Sequence, residues 1–381
     1  MDFSFTAEQE AFRDSIREFN KRECTPEIAR RLDENEEYPR QAFQRMAELG
    51  WLGLPFPEEY GGLGGTPVDI AILVEELARG MVAAAQAFGA MIYVGGPIFQ
   101  LGNEEQRRRF LPGMIRGDVH LAMGLTEPGS GSDAAALSTR AVRRGDTYII
   151  NGSKMFSSRA HVADYILVAA RTDPKAPKHR GISLFAVPGK AKGVTAIPLK
   201  KLGIKAIGTC EVVLEDVEVP AENLLGKENE GWLSLLQSLS MERYYLAALC
   251  TGGIAAVLDL AAPYSRERQQ FDRPIGTFQA IQHKLADIYI DYQAARTLTY
   301  QAAWLAAQGR TGGGEGNAAK IFASEAYMRA ANQGLQIMGG YGYMMEFAMQ
   351  RHFRDAKLFE IGGGTSEVLR NVVGGQVYKT W

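Results

Sequence analysis

The spacing of hydrophobic residues changes twice along this chain of 381 residues. Up to about residue 119, apolar side chains recur at helical spacing, as at Phe12, Ile16 and Phe19. Between about 120 and 229, short runs rich in β-branched residues alternate with turn residues, which is typical of strands. From about Gly231 the helical spacing returns in long stretches. The pattern predicts an α-helical domain (1–119), an antiparallel β domain (120–229) and a bundle of long helices (230–381).

Local signals refine this prediction. Thr6, followed three residues later by Gln9, predicts a capping box at the start of the first helix. Asn151-Gly152 directly follows the strand-like run at 147–150 and predicts a hairpin turn there. An apolar stripe is predicted along the first C-terminal helix: Trp232, Leu235, Leu236, Leu239, Leu246 and Leu249.

Composition excludes several classes of protein. Hydrophobic residues make up 46% of the chain, the net charge is -2, and no basic run indicates binding to nucleic acid. The three cysteines and five histidines lack the spacing of metal ligands, so no metal site is predicted. The acidic N-terminus does not resemble a signal peptide, and no apolar run is long enough to span a membrane. A cytoplasmic protein is therefore expected.

Nucleotide-binding signatures are also missing. No Gly-x-Gly-x-x-Gly follows a predicted strand, and the chain has no phosphate-binding loop of the Gly-x-x-x-x-Gly-Lys-Ser/Thr type. Instead, a turn-forming stretch, Met123–Asp133, lies at the start of the β domain. Its glycines and hydroxyl groups allow close approach to a flat or anionic ligand, although an ordinary surface turn has the same composition.

Glu242 places a carboxylate on the apolar stripe of the first C-terminal helix, because it lies three residues after Leu239 and four before Leu246. Burial raises the pKa of a carboxyl group, and a raised pKa suits a general base. A structural carboxylate paired with an arginine explains the same pattern. Arg243 is not expected to be that partner, because adjacent residues on a helix point in different directions.

The chain resembles the acyl-CoA dehydrogenase family in six stretches that occur in the family's order: Pro57-Glu-Glu-Tyr-Gly-Gly62, Thr126-Glu-Pro-Gly-Ser-Gly-Ser-Asp133, Asn151-Gly-Ser-Lys-Met-Phe156, Arg268-Gln-Gln-Phe271, Gln336-Ile-Met-Gly-Gly340 and Gly364-Thr-Ser-Glu367. The resemblance covers essentially the whole chain. It implies a mostly α fold with a β domain: an N-terminal α-helical domain, a middle antiparallel β-barrel and a C-terminal four-helix bundle. It also implies FAD as cofactor, an acyl-CoA substrate in fatty acid metabolism, an electron-transfer flavoprotein as acceptor, and a homotetramer built as a dimer of dimers.

The resemblance also bears on catalysis. Many members carry the catalytic glutamate in a Tyr-Glu-Gly-Thr stretch, and the equivalent position here is Gly363. The isovaleryl- and long-chain-type members place it on the first C-terminal helix, just before an arginine, and Met241-Glu-Arg243 is similar to that arrangement. The resemblance therefore implies that Glu242 is the base. The backbone amide of Gly363 is expected to bind the thioester carbonyl together with a flavin ribityl hydroxyl.

Further site residues follow from the resemblance alone. The substrate contacts implied are Ser132, Ser240, Arg243 and Gly364. The implied FAD contacts are Met123, Leu125, Thr126, Gly131, Ser132, Phe156, Ser157, Ser158, Arg268, Gln270, Phe271, Gln279, Gln336, Ile337, Met338, Gly339, Gly340, Thr365 and Glu367. Arg268, Gln279 and the stretch Gln336–Gly340 are expected at the adenine end of FAD, across a dimer interface. The chain departs from the family's usual residues at Phe156, where tryptophan is common, and at Ser240, where aspartate is common.

The same sequence features partly support three other functions. One is oxidation of an acyl or aminoacyl group held on a carrier protein, and another is reduction of an enoyl thioester, since the chemistry is reversible. The third is a flavin-binding subunit without catalysis, which Gly363 favours and Glu242 opposes.

Overall fold

The computed structural model describes residues 4–310 and 314–380, the side chains of residues 234 and 237–240 excepted. The N-terminal part is helical: α1 (Ala7–Glu23), α2 (Pro26–Glu34), α3 (Arg40–Glu48), α4 (Pro67–Gly80), α5 (Val82–Phe88), α6 (Gly96–Leu101) and α7 (Glu104–Ile115). A π-helical turn, Met91–Gly95, connects α5 to α6. The capping box predicted at Thr6 and Gln9 is confirmed, and α4 and α7 begin with capping boxes as well.

The middle part contains eight strands: β1 (Leu121–Gly124), β2 (Arg140–Arg144), β3 (Thr147–Ser158), β4 (Tyr165–Arg171), β5 (Ile182–Pro188), β6 (Val194–Pro198), β7 (Thr209–Pro220) and β8 (Leu224–Leu225). The strands pair in the order β6-β7-β3-β2-β4-β5-β8, and β1 pairs with β4. Most of the pairs are antiparallel as predicted. The β1–β4 pair is parallel, and β2 meets β4 in parallel at one residue pair, because neither pair is joined by a hairpin.

The hairpin predicted at Asn151-Gly152 is wrong, because β3 continues through both residues. The pairing of β3 with β7 shifts register between Ile150 and Gly152. The Asn151 side chain spans this irregularity: its Nδ2 donates to Asp216 Oδ1 at 3.0 Å, and its Oδ1 accepts from the Asp216 amide at 2.8 Å. A long-range strand partner therefore overrides the local turn signal and turns it into a bulge.

The C-terminal part contains α8 (Gly231–Glu267), a short hairpin of β9 (Gln269–Gln270) and β10 (Arg273–Pro274), α9 (Gln279–Ala307), α10 (Glu315–Met338), α11 (Gly340–Tyr343), α12 (Ala348–Ile361) and α13 (Ser366–Thr380). Helix α10 packs against α8, α9, α12 and α13, and α4 packs against α8 and α9. One hydrophobic core therefore runs from the N-terminal helices into the bundle, while the β-sheet has a second core.

The predicted apolar stripe of α8 is only partly correct. Leu235, Leu246 and Leu249 are buried, but Leu236 is 45% exposed because it follows Leu235 directly and points to a different side of the helix. Trp232 is half-buried beside the ring of His179. The side chain of Leu239 lies outside the part that the structure describes.

The expectation that no apolar segment reaches membrane-spanning length is wrong. Val82–Leu101 and Met241–Glu267 are long and apolar enough by length and composition. The structure buries 83% of the apolar window in the first and 78% in the second. Both segments therefore belong to the hydrophobic core of the folded chain.

Candidate active site

Glu242 lies on α8 beside the loop that joins α12 to α13, and its side chain is 14% exposed. A Cβ atom built on Gly363 would lie 3.5 Å from Oε1 of Glu242, and it would collide with Cδ1 of Leu246. The structure thus brings Glu242 and Gly363 together. The carboxylate of Glu242, on α8, thus occupies the space beside Gly363 in the loop.

Arg243 is the ion-pair partner of Glu242, contrary to the expectation from helix geometry. Its Nη1 lies 3.5 Å from Glu242 Oε2 and also donates to the Gly363 carbonyl. The two Cα–Cβ bonds diverge, but the arginine side chain is long enough to bring its guanidinium back to the neighbouring carboxylate. Arg243 is 13% exposed, so it is buried against the loop.

Burial raises the pKa of Glu242, and the positive charges of Arg243 and Lys320 oppose that effect. The carboxylate accepts no hydrogen bond from any residue in the described ranges, so the 3.5 Å ion pair is its closest polar contact. A carboxylate of raised pKa whose lone pairs are not engaged in hydrogen bonds is able to accept a proton from a ligand.

Lys320, which the sequence analysis missed, supports the same loop from α10. Its side chain is fully buried, and Nζ donates to the Gly364 carbonyl at 2.8 Å. Gly363 and Gly364 have φ values of 64° and 83°, a left-handed conformation that glycine adopts without strain. The amide N–H of Gly363 has no hydrogen-bond partner within residues 4–310 and 314–380, so it is free to bind a carbonyl oxygen.

A second carboxylate organises the predicted flavin loop. Glu127 is buried, and its oxygens accept from the Ser138 amide and hydroxyl, the Thr139 amide and Lys154 Nζ, the last at 2.7 Å. Burial by itself would raise the pKa of Glu127, but Lys154 and these hydrogen bonds lower it to about 2. Lys154 also donates to the Leu125 carbonyl at 3.3 Å. The pair therefore fixes the backbone that carries Leu125 and Thr126.

The end of β3 provides an aromatic face and an unused hydroxyl. Phe156 is 65% exposed with φ of 60°, and the amide of the preceding Met155 donates to the Thr126 carbonyl at 2.7 Å. Ser157 is buried, and its Oγ has no hydrogen-bond partner in the described part of the chain. An exposed aromatic ring beside an unpartnered hydroxyl fits a flat heteroaromatic ligand such as the flavin ring.

Tyr93, in the π-helical turn, is close enough to Arg159 and Glu242 to feel both charges. Burial raises the pKa of its phenol, the positive charge of Arg159 lowers that pKa, and the negative charge of Glu242 raises it. Arg159 directly follows Ser158, so Tyr93 is near the end of β3 as well as near the Glu242 carboxylate.

The residues predicted for the adenine end of FAD lie on the surface of the single chain, except for Ile337 and Met338, which are buried. Two of their segments are adjacent, because the Arg268 guanidinium lies 5.6 Å from the ring centroid of Tyr341. Phe271 and Asp272 have φ values of 53° and 61° at the tip of the β9–β10 hairpin, where Phe271 is 86% exposed.

The remaining predicted site residues differ in their exposure to solvent. Gly131, Ser132 and Glu367 are exposed, and Met123, Leu125, Thr126, Ser158 and Gly364 are half-buried. Thr365 caps α13, since its Oγ1 accepts from the Val368 amide at 3.2 Å. The side chain of Ser240 lies outside the described residues.

Comparisons with known proteins identify the family to which the chain belongs. Three family models match the chain: the acyl-CoA dehydrogenase N-terminal domain over residues 6–118, the middle domain over 122–217 and the C-terminal domain over 229–378. A probable acyl-CoA dehydrogenase of Bacillus subtilis, YngJ, is 42% identical, covering 100% of both chains. A 3-(aryl)acrylate reductase of Clostridium sporogenes is 38% identical over 98% of this chain and 100% of its own. The butyryl-CoA dehydrogenase structure of Megasphaera elsdenii superposes with a TM-score of 0.94 at 37% identity, covering 99% and 100% of the two chains.

The fold and the site define a flavin-dependent oxidoreductase that acts on CH–CH bonds. The chain belongs to the acyl-CoA dehydrogenase family, whose members bind FAD.

Proposed function

We propose that this protein oxidises an acyl-CoA thioester to the trans-2-enoyl-CoA, with Glu242 as the base that removes the α-proton. One observation carries the proposal: the partly buried Glu242 carboxylate lies against the Gly363 loop, at the position where many members of the family carry the catalytic glutamate. A carboxylate at this place, held by an ion pair and no hydrogen bond from the described residues, is suited to proton transfer.

Each residue has a role that follows from its position. The free Gly363 N–H donates to the thioester carbonyl and stabilises the negative charge that develops on it as the α C–H bond breaks. That electrostatic support makes the α-proton acidic enough for Glu242, which takes it as the double bond forms. When bound, FAD supplies the oxidant for the hydride equivalent that leaves the β-carbon. Leu125, Thr126, Phe156 and Ser158 would hold its ring system, and Thr365 the anionic part.

The test is an anaerobic titration of the purified flavoprotein with acyl-CoAs of different chain length, followed by the visible absorbance of the flavin. Wild type is expected to bleach with at least one acyl-CoA. Glu242→Gln should bleach about 10²- to 10⁴-fold more slowly. Asp259→Asn changes another carboxylate of α8, one paired with Arg79, and should bleach at the wild-type rate. Unchanged bleaching in Glu242→Gln would remove Glu242 as the base.

Reduction of an enoyl thioester is the second candidate, and it is supported by the reductase among the relatives. The same Glu242 would return the α-proton. Reduced enzyme mixed anaerobically with an enoyl-CoA measures this direction, since flavin absorbance recovers if the reaction runs backwards. Full recovery at low enoyl-CoA concentration would favour the reductase function.

We further propose a cytoplasmic homotetramer, a dimer of dimers, that passes its electrons to an electron-transfer flavoprotein. The tetramer is supported by the exposed apolar side chains of the C-terminal part, including Phe271, Tyr343 and Tyr378. Light scattering of the holoenzyme measures its mass. A monomeric holoenzyme would contradict this assembly, and so would FAD bound tightly by a monomer.

A further inference from the structure

Lys320 is a fully buried lysine on α10 with a single hydrogen-bond acceptor among the described residues, the Gly364 carbonyl at 2.8 Å. An ammonium group has three donors, and burying a charge is costly unless the charge is well paired. The sequence around it, Ala318-Ala-Lys-Ile-Phe-Ala323, is otherwise apolar. A lysine buried at such a place lowers the stability of the fold, which indicates a role other than packing.

The loop beside Lys320 has two consecutive carbonyls drawn towards cations. Arg243 donates to the Gly363 carbonyl and Lys320 to the Gly364 carbonyl. Because each peptide unit is planar, fixing its carbonyl fixes the N–H on the opposite side. The peptide planes Gly363–Gly364 and Gly364–Thr365 are thus held. The free Gly363 N–H belongs to the preceding peptide plane, and the backbone conformation of Gly363 sets its direction relative to the two that are held. The hydrogen bonds also polarise the loop, which strengthens its N–H donors.

Four ionisable groups act on Lys320 from the elements packed around it: Cys250, Arg243 and Glu242 on α8, and Glu360 on α12. Burial lowers the pKa of Lys320 to about 8, with the Cys250 thiol and the two carboxylates opposing that effect and Arg243 adding to it. In return, the Lys320 charge lowers the pKa of Glu242 against the effect of burial. The lysine therefore acts on both the Gly364 carbonyl and the Glu242 carboxylate.

We propose that Lys320 is a positioning residue for the reaction: together with Arg243, its ammonium holds the two peptide planes that follow the Gly363 N–H, and its charge stabilises the Glu242 carboxylate. This inference rests on the function proposed above. It requires Lys320 to be charged and hydrogen-bonded to the loop, and it involves no contact between Lys320 and the substrate.

Lys320→Met removes the charge and the terminal nitrogen and keeps most of the length of the side chain. Its kcat is expected to fall about 10- to 100-fold, because the donor and base lose their alignment. The low-pH limb of kcat/KM should move to higher pH, since Glu242 ionises less readily without the nearby positive charge. Lys201→Met is the matched control: it removes another lysine whose pKa burial lowers to about 8, hydrogen-bonded to Thr209, and should leave the limb in place.

Lys320→Arg provides a test that does not depend on the folding of the methionine variant. Wild-type kcat should decline above about pH 8 as Lys320 loses its proton. In the arginine variant the side chain stays charged, so the decline should disappear. A decline that persists in Lys320→Arg overturns the proposal, as does a flavin-replete Lys320→Met with wild-type kcat and an unmoved limb. Wild type that reacts with no thioester would overturn the proposed function, and this inference with it.

Discussion

Glu127 is buried and Glu242 is 14% exposed, and each lies beside a positive charge, yet their surroundings differ. Glu127 accepts hydrogen bonds from Ser138, Thr139 and Lys154, and its pKa is lowered to about 2. Glu242 has a raised pKa, an ion pair with Arg243 at 3.5 Å, and no hydrogen bond from the residues that the structure describes. The number of donors aimed at each carboxylate decides the outcome, because hydrogen bonds to the charged form hold it charged.

The contrast teaches that burial alone does not identify a base. A carboxylate surrounded by donors is fixed in one charge state and serves as an anchor. A carboxylate with few hydrogen-bond donors around it can exchange a proton within the working range of pH. The predictions below change one side of this comparison at a time.

The largest effect is expected from moving the base. Glu242→Gln combined with Gly363→Glu should remain about 10²- to 10⁴-fold below wild type in kcat. A side chain at Gly363 collides with Leu246, and its φ of 64° is strained for any residue with a Cβ atom. Adding Leu246→Ala removes the collision and should restore part of the activity. Rapid-mixing measurements of flavin reduction give the three rates. Full recovery in the double variant would show that the loop tolerates the side chain.

A smaller effect is expected from removing the anchor. Glu127→Gln leaves the Lys154 ammonium buried without an anion and should reduce the free energy of unfolding by about 3–5 kcal/mol. Denaturant unfolding and the flavin content of the purified protein measure the loss. The double variant Glu127→Gln/Lys154→Met removes both charges and should be more stable than Glu127→Gln. An equally unstable double variant would mean that the ion pair is not the cause.

The same carboxylate gives a pH dependence with a definite sign. Because its pKa in the folded state is lowered from 4.5 to about 2, the stability it contributes is fully present above pH 4.5 and is lost as the pH falls towards 2. Glu127→Gln should therefore lose less stability than wild type over that acid range.

The smallest effect is expected at Glu242, with the opposite sign. Its pKa is raised in the folded state, so its favourable contribution is present at low pH and is lost as the pH rises. Glu242→Gln should melt a few degrees above wild type at pH 8, with the gain shrinking towards pH 4.5. Glu48→Gln, in an exposed ion pair with Arg45, is the control and should change stability by about 0.5 kcal/mol or less. A less stable Glu242→Gln at pH 8 would contradict the comparison.

Much of the architecture follows from local patterns. Helices occupy the chain up to Ile115, as the spacing of apolar residues predicts, and the capping box at Thr6 forms as expected. The hairpin predicted at Asn151-Gly152 is wrong because the strand partner of β3 lies about sixty residues further along the chain, beyond the range of a local sequence pattern. The prediction that Leu236 faces the core is wrong because two adjacent leucines do not reveal which of them faces the core.

The candidate site is harder to read from the sequence. Glu75 and Glu76 also lie on an apolar helix, so a pattern of spacing cannot separate them from Glu242. In the fold, Glu75 accepts hydrogen bonds from Tyr292, Arg296 and Tyr300, and Glu76 pairs with Arg13 and Arg17. These partners come from distant helices. Lys320 carries a weak signal, a single charge in an apolar run, whose meaning depends on the Gly364 carbonyl beside it.

The loop that completes the site also has a consequence for how the protein is made. Arg243 and Gly363 lie 120 positions apart in the sequence, with Gly363 near the C-terminal end. Domains generally fold as they leave the ribosome, N-terminal part first. The helix that carries Glu242 is thus synthesised long before the residues that complete its surroundings. A chain whose translation stops before the loop between α12 and α13 therefore has the Glu242 carboxylate but not the Gly363 amide.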